Sequence, residues 1–241
     1  MNKPLRRWVW GSNAVLNMRD LGGYVCDGGT TRYGVVLRSD QLNGLDREEM
    51  DLLVERGLTD VIDLRSESER TRHPNDFEGH ESVKMHTVVL NHNEDEFQFS
   101  PFDFSCMGEM YLMMADANAS EYARMLRVIA DAKGISVVHC MAGKDRTGIV
   151  CALLLLLLGV DKRDVVADYQ VSMTYLGEHL MGTFATDDVN MPQYMASSEP
   201  KNMWMLVDHL ETVYGGAEAY LRKHGLRDED IDKLRQKMIE Q

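Results

Sequence analysis

The chain has 241 residues, of which 44% are hydrophobic, and a formal net charge of −13 at pH 7. Its length suits one domain, residues 1–241, that buries about three quarters of its unfolded surface. Its negative charge argues against general nucleic-acid binding, which requires a basic face. The four cysteines have neither metal-type Cys-x-x-Cys spacing nor the density of a disulfide framework, so we expect reduced thiols and neither metal nor cofactor.

The N-terminal residues do not form a recognisable targeting segment. Lys3, Arg6 and Arg7 precede an apolar run that is too short for a signal peptide. The longest apolar run, residues 149–160, is shorter than a bilayer span and predicts a helix buried on all sides. We therefore expect a cytoplasmic protein without a membrane span, while secretion or loss of a leader stays open.

Helices and strands alternate in the first part of the predicted fold. A hairpin turn is predicted at residues 27–29, and a capping box from Asp46 to Glu49 opens a helix that runs toward Gly57. Strands are predicted at residues 59–64 and 82–90, a helix capped by Ser120 runs to Ala132, and a strand covers residues 135–139. The later helices are predicted at residues 147–159, 162–176, 202–213, 217–224 and 228–239. This pattern indicates an α/β fold with a central, mostly parallel sheet flanked by helices and a helix-rich C-terminal half.

Two cysteines lie six positions before an arginine, and only their context separates them. Cys26 and Arg32 flank the predicted hairpin turn and are followed by an apolar, β-branched run, so no helix begins there to bind an anion. Cys140 and Arg146 lie between a predicted buried strand and a predicted helix. The spacing alone therefore carries little information, and the strand before the loop and the helix after it carry the argument.

The loop after the strand at 135–139 has the features of a phosphate cradle, a term used below for residues 140–146. A helix N-terminus supplies unsatisfied N–H groups and the positive end of a dipole. Gly143 allows successive N–H groups to turn inward, and Arg146 can bind two phosphate oxygens through its planar fork. We expect the phosphate-binding residues to be Met141, Ala142, Gly143, Lys144, Asp145 and Arg146.

The residues that flank the cradle predict thiolate chemistry. The helix terminus and a guanidinium favour the thiolate of Cys140 over the thiol, and a thiolate beside bound phosphate is a nucleophile. Thr147 can donate its hydroxyl to the sulfur and ease departure of the thiolate. We expect His139 to orient the loop through hydrogen bonds rather than to act as an acid or base. The alternative for Cys140 is an inert core cysteine, and for Cys151 a helix-core cysteine is favoured over a disulfide that protects the nucleophile.

The run His-Cys-Met-Ala-Gly-Lys-Asp-Arg-Thr-Gly at residues 139–148 resembles the loop of the cysteine-dependent protein tyrosine phosphatases. Its Gly-Lys-Asp-Arg-Thr-Gly ending is similar to a bacterial branch of that family, which includes mycobacterial and Listeria enzymes described as acting on phosphotyrosine, phosphoserine or phosphothreonine, and phosphoinositides. The resemblance implies the same fold and a phosphocysteine intermediate. Further similar segments are residues 17–23, 38–42, 62–66, 214–216 and 220–222.

Two loop positions depart from better-known branches. Many animal tyrosine phosphatases have glycine where this chain has Asp145, and a lipid phosphatase branch has lysines at the positions of Met141 and Lys144. Only the second lysine is matched. Lys144 therefore indicates either additional anionic groups on the substrate, such as inositol phosphates, or a solvated lysine that raises the local potential.

Departure of a tyrosine or serine oxygen requires a general acid, and two aspartates are the main candidates. Asp145 lies inside the cradle, and the resemblance implies that this position can serve catalysis; its alternative role is an ion pair with Arg19 or a neighbouring lysine. Asp63 follows an apolar run and would lie at the carboxyl end of a strand, where α/β sheets place their ligands. Its alternative role is a salt bridge with Arg65 or Arg38.

Two longer segments predict mobile elements near the site. One is a polar and aromatic loop with Glu94, Asp95, Glu96 and Asp103, which could act as an acid loop or form a solvated surface. The other is the methionine-rich segment 173–205, broken by Pro192 and Pro200, for which the resemblance makes a helical lid plausible. The alternative is that its helices pad the core.

The leading hypothesis is a metal-independent tyrosine or dual-specificity protein phosphatase that acts through Cys140 and Arg146. Its partners would be a phosphoprotein or phosphoinositide substrate, and a phosphate or sulfate ion is expected in the active site. A catalytically silent phosphate-binding module is the first alternative. A sulfur-transfer or arsenate-reducing enzyme is the second, which Gly148 and the lack of an obvious resolving cysteine disfavour.

Overall fold

A computed structural model describes residues 14–88, 90, 101–184 and 192–241. The strands in these ranges are β1 (Arg19–Asp20), β2 (Val25–Cys26), β3 (Gly29–Thr31), β4 (Val36–Ser39), β5 (Leu58–Asp63), β6 (Lys84–Thr87), β7 (Ile135–His139) and β8 (Ile239–Glu240). The helices are α1 (Arg47–Glu55), α2 (Glu67–Arg72), α3 (Met107–Ala117), α4 (Ala119–Asp131), α5 (Arg146–Leu157), α6 (Lys162–Phe184), α7 (Pro200–Tyr214), α8 (Ala217–Lys223) and α9 (Asp228–Met238).

The main sheet in these ranges has the strand order β1-β4-β7-β5-β6. The last four strands run parallel, and β1 adds an antiparallel edge beside β4. The register aligns Ser39, His139 and Asp63 across β4, β7 and β5. The carboxyl ends of these three strands therefore meet at one edge, where a parallel sheet places its ligands. The predicted mostly parallel sheet flanked by helices is confirmed.

Helix α5 follows β7 through the cradle and lies in the core. Every α5 residue between Thr147 and Leu157 is buried except Leu156. Burial on all sides explains why the α5 sequence is uniformly apolar, since a helix that contacts protein on every side has no solvent-facing side for polar residues. The prediction of a helix buried on all sides is confirmed, and it gives the cradle a rigid base. None of the described helices combines the length and the hydropathy that a bilayer crossing demands.

The region before β7 differs from its prediction. The structure forms α3 and α4 on either side of Asn118, whereas the sequence predicted one helix that Ser120 would cap. The Asn118 side chain is buried and donates to the carbonyl oxygen of Met114 at 2.9 Å, so it ends α3. Ser120 lies within the first turn of α4. Helix α3 was not predicted, because the residues that precede it were assigned to a long polar and aromatic loop.

Other boundaries shift by smaller amounts. The hairpin, the α1 capping box and the C-terminal helices form as predicted, while α6 continues to Phe184 and β6 covers only Lys84–Thr87. Within the methionine-rich segment, Met203 is fully buried in the core. Residues 185–191 lie outside the described ranges, as do Glu94, Asp95 and Glu96 of the predicted acid loop. Whether 173–205 contains a lid therefore stays a prediction.

Candidate active site

The cradle occupies the turn between β7 and α5 at the carboxyl edge of the sheet. Cys140 is 2% exposed, and Gly143 has φ of +64°, a left-handed conformation that side chains disfavour. A Cβ atom at Gly143 would lie 2.2 Å from the carbonyl oxygen of Ser39. Only glycine fits this approach of the cradle to the end of β4.

Side chains hold the carbonyl groups of the cradle from outside. Asn17 Nδ2 donates to Ala142 O at 2.9 Å and to Gly143 O at 3.2 Å. Arg38 Nη2 donates to Gly143 O at 2.7 Å. The N–H of a trans peptide points opposite to its carbonyl. Fixing these two carbonyls outward therefore turns the N–H groups of Gly143 and Lys144 toward the concave side, where an anion would bind.

The two arginines on this outer side share one carboxylate. Asp168 of α6 binds Arg38 of β4 and Arg19 of β1, with 2.9 Å between its Oδ1 and Arg19 Nε. All three side chains are at most 3% exposed. Burial raises the pKa of Asp168, but the two guanidinium groups outweigh that effect and hold it well below its usual range. Arg19 Nη1 also donates to Asn17 Oδ1 at 2.6 Å, which orients the Asn17 amide.

Arg146 is fixed by a carboxylate that the sequence interpretation did not single out. Glu69 of α2 accepts hydrogen bonds from Nη1 and Nη2 of Arg146, both at 2.6 Å, and Nη1 also donates to Leu64 O at 3.2 Å. Of the five guanidinium N–H groups, these contacts within the described residues leave Nε–H and the second N–H of Nη2. Those two groups lie side by side on one edge of the plane, which is the fork that binds two phosphate oxygens.

The Glu69–Arg146 contact also affects both ionisation equilibria. Burial raises the pKa of Glu69, but hydrogen bonds and the charge of Arg146 outweigh it and lower that pKa to about 2. Burial lowers the pKa of Arg146, yet Glu69 and Cys140 hold it above its ordinary value. The pair is therefore ionised across the whole pH range in which phosphatases are assayed.

His139 and Asp63 belong to a buried polar network under the cradle. His139 Nδ1 lies 3.2 Å from Cys140 O, and its Nε2 lies 2.9 Å from Asn75 Nδ2 and 3.4 Å from Asp63 Oδ2. Both ring nitrogens of His139 are thus engaged inside the fold, which favours an orienting role. Asp63 has the predicted place at the end of a strand, but its side chain is 0% exposed and paired with Arg65 at 2.8 Å.

The ionisation of Asp63 favours its structural alternative. Burial raises the pKa of Asp63, but His139 and Arg65 outweigh that effect and hold it well below its ordinary range. A general acid must carry a proton and reach the substrate, and a buried, ion-paired carboxylate does neither. Of the two roles that the sequence left open, the salt bridge with Arg65 agrees with this geometry.

The structure excludes one of the two roles predicted for Lys144. Its side chain is 1% exposed, so the expectation of a solvated lysine is wrong. Nζ donates to Ser197 O at 2.9 Å and to Met195 O, and lies 3.6 Å from Asp145 Oδ1. The ammonium is therefore directed at the chain that enters α7, while the Lys144 N–H still lines the cradle. Sequence analysis had no signal for this return of the chain.

Asp145 and Thr147 are the remaining residues for which the sequence predicted a catalytic role. The Asp145 side chain is 27% exposed and accepts a hydrogen bond from Tyr111 of α3. Thr147 is 0% exposed, and its Oγ1 makes no hydrogen bond within the described part of the chain. The predicted contact from Thr147 to the Cys140 sulfur is therefore not formed here, although the hydroxyl is uncommitted. Asp103 lies in an exposed turn, Pro101–Asp103.

The sequence prediction missed three residues that contact the cradle, Asn17, Glu69 and Tyr111. It also missed Asn75, which contacts His139, and Asp168, which holds Arg19 and Arg38. A local signal existed for one of them, because Ser66 and Glu69 form a capping box at the start of α2. Asn17, Arg19 and Arg38 lay in segments singled out by resemblance. The two arginines were considered only as ion-pair partners of Asp145 and Asp63, whereas both pair with Asp168. The others are brought to the site only by tertiary structure.

These features define an α/β protein in which a glycine-containing loop joins the end of a parallel strand to the N-terminus of a buried helix. A model of the tyrosine phosphatase family matches residues 11–240, and the chain belongs to that family. A tyrosine-protein phosphatase of Nostoc commune is 28% identical over 212 residues, which cover 83% of this chain and 72% of that protein. The triple specificity protein phosphatase PtpB of Mycobacterium tuberculosis is 24% identical over 266 residues, which cover 91% of this chain and 95% of that protein.

Among solved structures, the crystal structure of P. aeruginosa TpbA aligns with a TM-score of 0.33 and 17% identity, over 94% of this chain and 98% of that one. The resemblance drawn from the loop and from the scattered segments is confirmed by the family match. The protein is a hydrolase of the protein-tyrosine-phosphatase type.

Replacing Asp168 with Asn should destabilise the fold strongly. The substitution leaves two buried guanidinium groups without a counter-charge, and breaking a buried ion pair in this way costs about 3–5 kcal/mol. We expect that loss in the free energy of unfolding, measured with urea near neutral pH. Asp51→Asn, which removes an exposed pair with Arg47, is the control and should change stability by less than about 1 kcal/mol. Equal stability of the two variants would refute the role given to Asp168.

Replacing Glu69 with Gln should weaken the phosphate fork while preserving α2. Glutamine can complete the capping box, but its amide cannot accept from both guanidinium nitrogens. Loss of one charge-assisted hydrogen bond, about 1.5 kcal/mol, should raise KM for an aryl phosphate by about tenfold. Glu67→Gln on the exposed side of α2 is the control. A KM equal to that of the wild type would show that Glu69 does not orient Arg146.

The same variant has a predicted pH signature. Because folding lowers the pKa of Glu69 from 4.5 to about 2, its stabilisation is fully present above the unfolded value and is lost as pH falls between those values. The stability difference between wild type and Glu69→Gln should therefore shrink between about pH 6 and about pH 3 in urea unfolding. A constant difference would contradict the pairing.

Proposed function

We propose that this phosphatase hydrolyses phosphate monoesters through a phosphocysteine intermediate on Cys140. The observation that supports this most directly is the cradle itself. Its carbonyls are fixed outward by Asn17 and Arg38, so that N–H groups converge above Cys140, and Arg146 keeps two N–H groups for the phosphate. Preorganised donors of this kind stabilise charge that develops on the transferred phosphoryl group.

In the first step, the Cys140 thiolate attacks phosphorus as the ester oxygen departs. An S–P bond forms, the P–O ester bond breaks, and the leaving oxygen takes a proton from the Asp145 carboxyl group. Arg146 and the cradle N–H groups bind the three non-bridging oxygens. Asp145 is assigned as the acid because it is partly exposed at the rim, whereas Asp63 is buried and paired with Arg65.

In the second step, water attacks phosphorus and the thiolate departs. The Asp145 carboxylate takes the proton of that water, the S–P bond breaks, and inorganic phosphate leaves. Thr147 has a buried hydroxyl near the start of α5 that makes no hydrogen bond within the described residues, and we assign it as the donor to the departing sulfur. The same cradle accounts for the expected binding of a free phosphate or sulfate ion.

Hydrolysis of an aryl phosphate in the presence of a chelator tests this mechanism. Cys140→Ser should abolish turnover while retaining phosphate binding measured by calorimetry, because the cradle donors are unchanged. Cys106→Ser is the matched control, a partly exposed cysteine of the same chain, and should keep wild-type turnover. Turnover by Cys140→Ser would exclude the phosphocysteine pathway. A wild type that binds phosphate without hydrolysis would instead favour the silent binding module.

We further propose that the substrate is a phosphoprotein, with phosphotyrosine as the primary target and phosphoserine or phosphothreonine as secondary targets. Phosphoinositides are the second candidate, because the cradle sequence resembles a bacterial branch described as acting on them as well. The position of Lys144 weighs against that candidate. Its side chain is buried, and its ammonium donates to the main-chain carbonyls of Met195 and Ser197 rather than presenting its N–H groups to solvent.

A Lys144→Met variant separates the two substrate classes. Because Lys144 supports the cradle internally, its loss should reduce hydrolysis of a phosphotyrosine peptide and of a phosphoinositide in vesicles by the same factor. A lysine that contacts additional phosphates would instead produce a selective loss, about tenfold or more, with the phosphoinositide. Lys201→Met, at an exposed lysine paired with Glu199, is the control and should alter neither rate.

A further inference from the structure

The two oxygens of Asp145 have different surroundings. Oδ1 accepts the hydroxyl hydrogen of Tyr111, and Lys144 Nζ lies 3.6 Å from the same oxygen. Oδ2 has no hydrogen-bond or ion-pair partner among the residues that the structure describes. Since the side chain is 27% exposed at the rim of the cradle, the uncommitted oxygen is the one that can meet a substrate.

Tyr111 is held rigidly enough to direct this carboxyl group. Its side chain is fully buried, and its ring packs edge-to-face against Tyr169 with 5.8 Å between centroids. The two hydroxyl oxygens lie 2.8 Å apart. Burial, followed by the charge of Asp145, raises the pKa of Tyr111 well above its ordinary value. The hydroxyl therefore stays protonated and acts as a donor throughout the assay range.

The helices that carry these tyrosines are locked together. The Gly108 N–H of α3 donates to Asn202 Oδ1 of α7 at 3.1 Å, and Asn202 also hydrogen-bonds to Tyr169 of α6. A Cβ atom at Gly108 would lie 2.4 Å from the sulfur of Met205, so α3 packs closely on α7. Three helices thus converge on the hydroxyl that contacts Asp145.

We infer that Tyr111 is a positioning residue for the general acid, which fixes Oδ1 of Asp145 so that Oδ2 carries the proton toward the leaving oxygen. This inference rests on the proposed phosphatase mechanism. In the first step the Oδ2 proton passes to the ester oxygen, and in the second Oδ2 accepts a proton from water; Tyr111 keeps its own proton throughout. The other ionisable groups that face Asp145 are Lys144, Arg146 and Tyr169.

The test compares leaving groups in a Tyr111→Phe variant, which keeps the ring and removes only the hydroxyl. With phenyl phosphate, whose leaving oxygen requires a proton, kcat/KM should fall about tenfold, the size of one hydrogen bond to a charged group. With dinitrophenyl phosphate, whose leaving oxygen requires little protonation, kcat/KM should change by less than about twofold, because protonation contributes little to its departure. KM should change little for either ester.

Two further variants separate positioning from a general loss of stability. Tyr220→Phe removes a buried hydroxyl that donates to Ala115 O of α3 at 2.6 Å, a comparable hydrogen bond without contact to Asp145. Tyr220→Phe should leave the ratio of kcat/KM for the two esters at its wild-type value. In an Asp145→Asn background, Tyr111→Phe should have almost no additional effect, because both changes remove the same proton transfer.

The inference would be overturned if Tyr111→Phe lowered kcat/KM equally for both esters, or if the Tyr111→Phe and Asp145→Asn effects on kcat/KM were additive. Either result would leave the phosphocysteine mechanism intact. That mechanism fails separately, through the Cys140→Ser comparison. If circular dichroism shows that Tyr111→Phe is unfolded, Tyr169→Phe provides the same comparison. That variant removes the 2.8 Å hydroxyl contact that orients Tyr111, and it should show the same dependence on leaving group, reduced in size.

Discussion

The cradle depends on a buried carboxylate shared by two guanidinium groups. Asp168 joins β1, β4 and α6 through Arg19 and Arg38, and these arginines in turn fix Asn17 and the carbonyl of Gly143. Two cations against one anion leave a net positive charge directly behind the loop. In a chain with a net charge of −13, this excess and the N-terminus of α5 raise the electrostatic potential beside the cradle, which supports the proposed binding of an anion there.

The cradle could be predicted from sequence because its parts are contiguous. The apolar run of β7, the glycine turn and the apolar run of α5 follow one another, and each has a recognisable local pattern. Its supports are distant in the chain: Arg19 lies 149 positions from Asp168, Arg38 lies 105 from Gly143, and Arg146 lies 77 from Glu69. No periodicity links such residues, since the sheet order and the docking of α6 bring them together.

The same reasoning explains why the sequence left two roles open for each of Asp63, Asp145 and Lys144. Asp63 and Asp145 both lie at the carboxyl edge of the sheet, as predicted, and only their burial distinguishes them. Asp63 is enclosed with Arg65 and His139, whereas Asp145 lies at the rim. Lys144 has a loop position that usually faces solvent. The chain before α7 returns across it and supplies two carbonyl acceptors, a packing event with no local sequence signature.

Environment also explains why one cysteine of the four is a suitable nucleophile. Burial in α5 outweighs the nearby Arg38 and raises the pKa of Cys151 to about 12, and burial with Asp27 raises the pKa of Cys26. Cys106 makes a thiol contact with the Met205 sulfur at 3.8 Å, away from any anion-binding loop. Cys140 alone among these four residues lies between the end of a strand, β7, and the N-terminus of a helix, α5. The position in the fold, more than the spacing to an arginine, supports the proposal that Cys140 is the nucleophile.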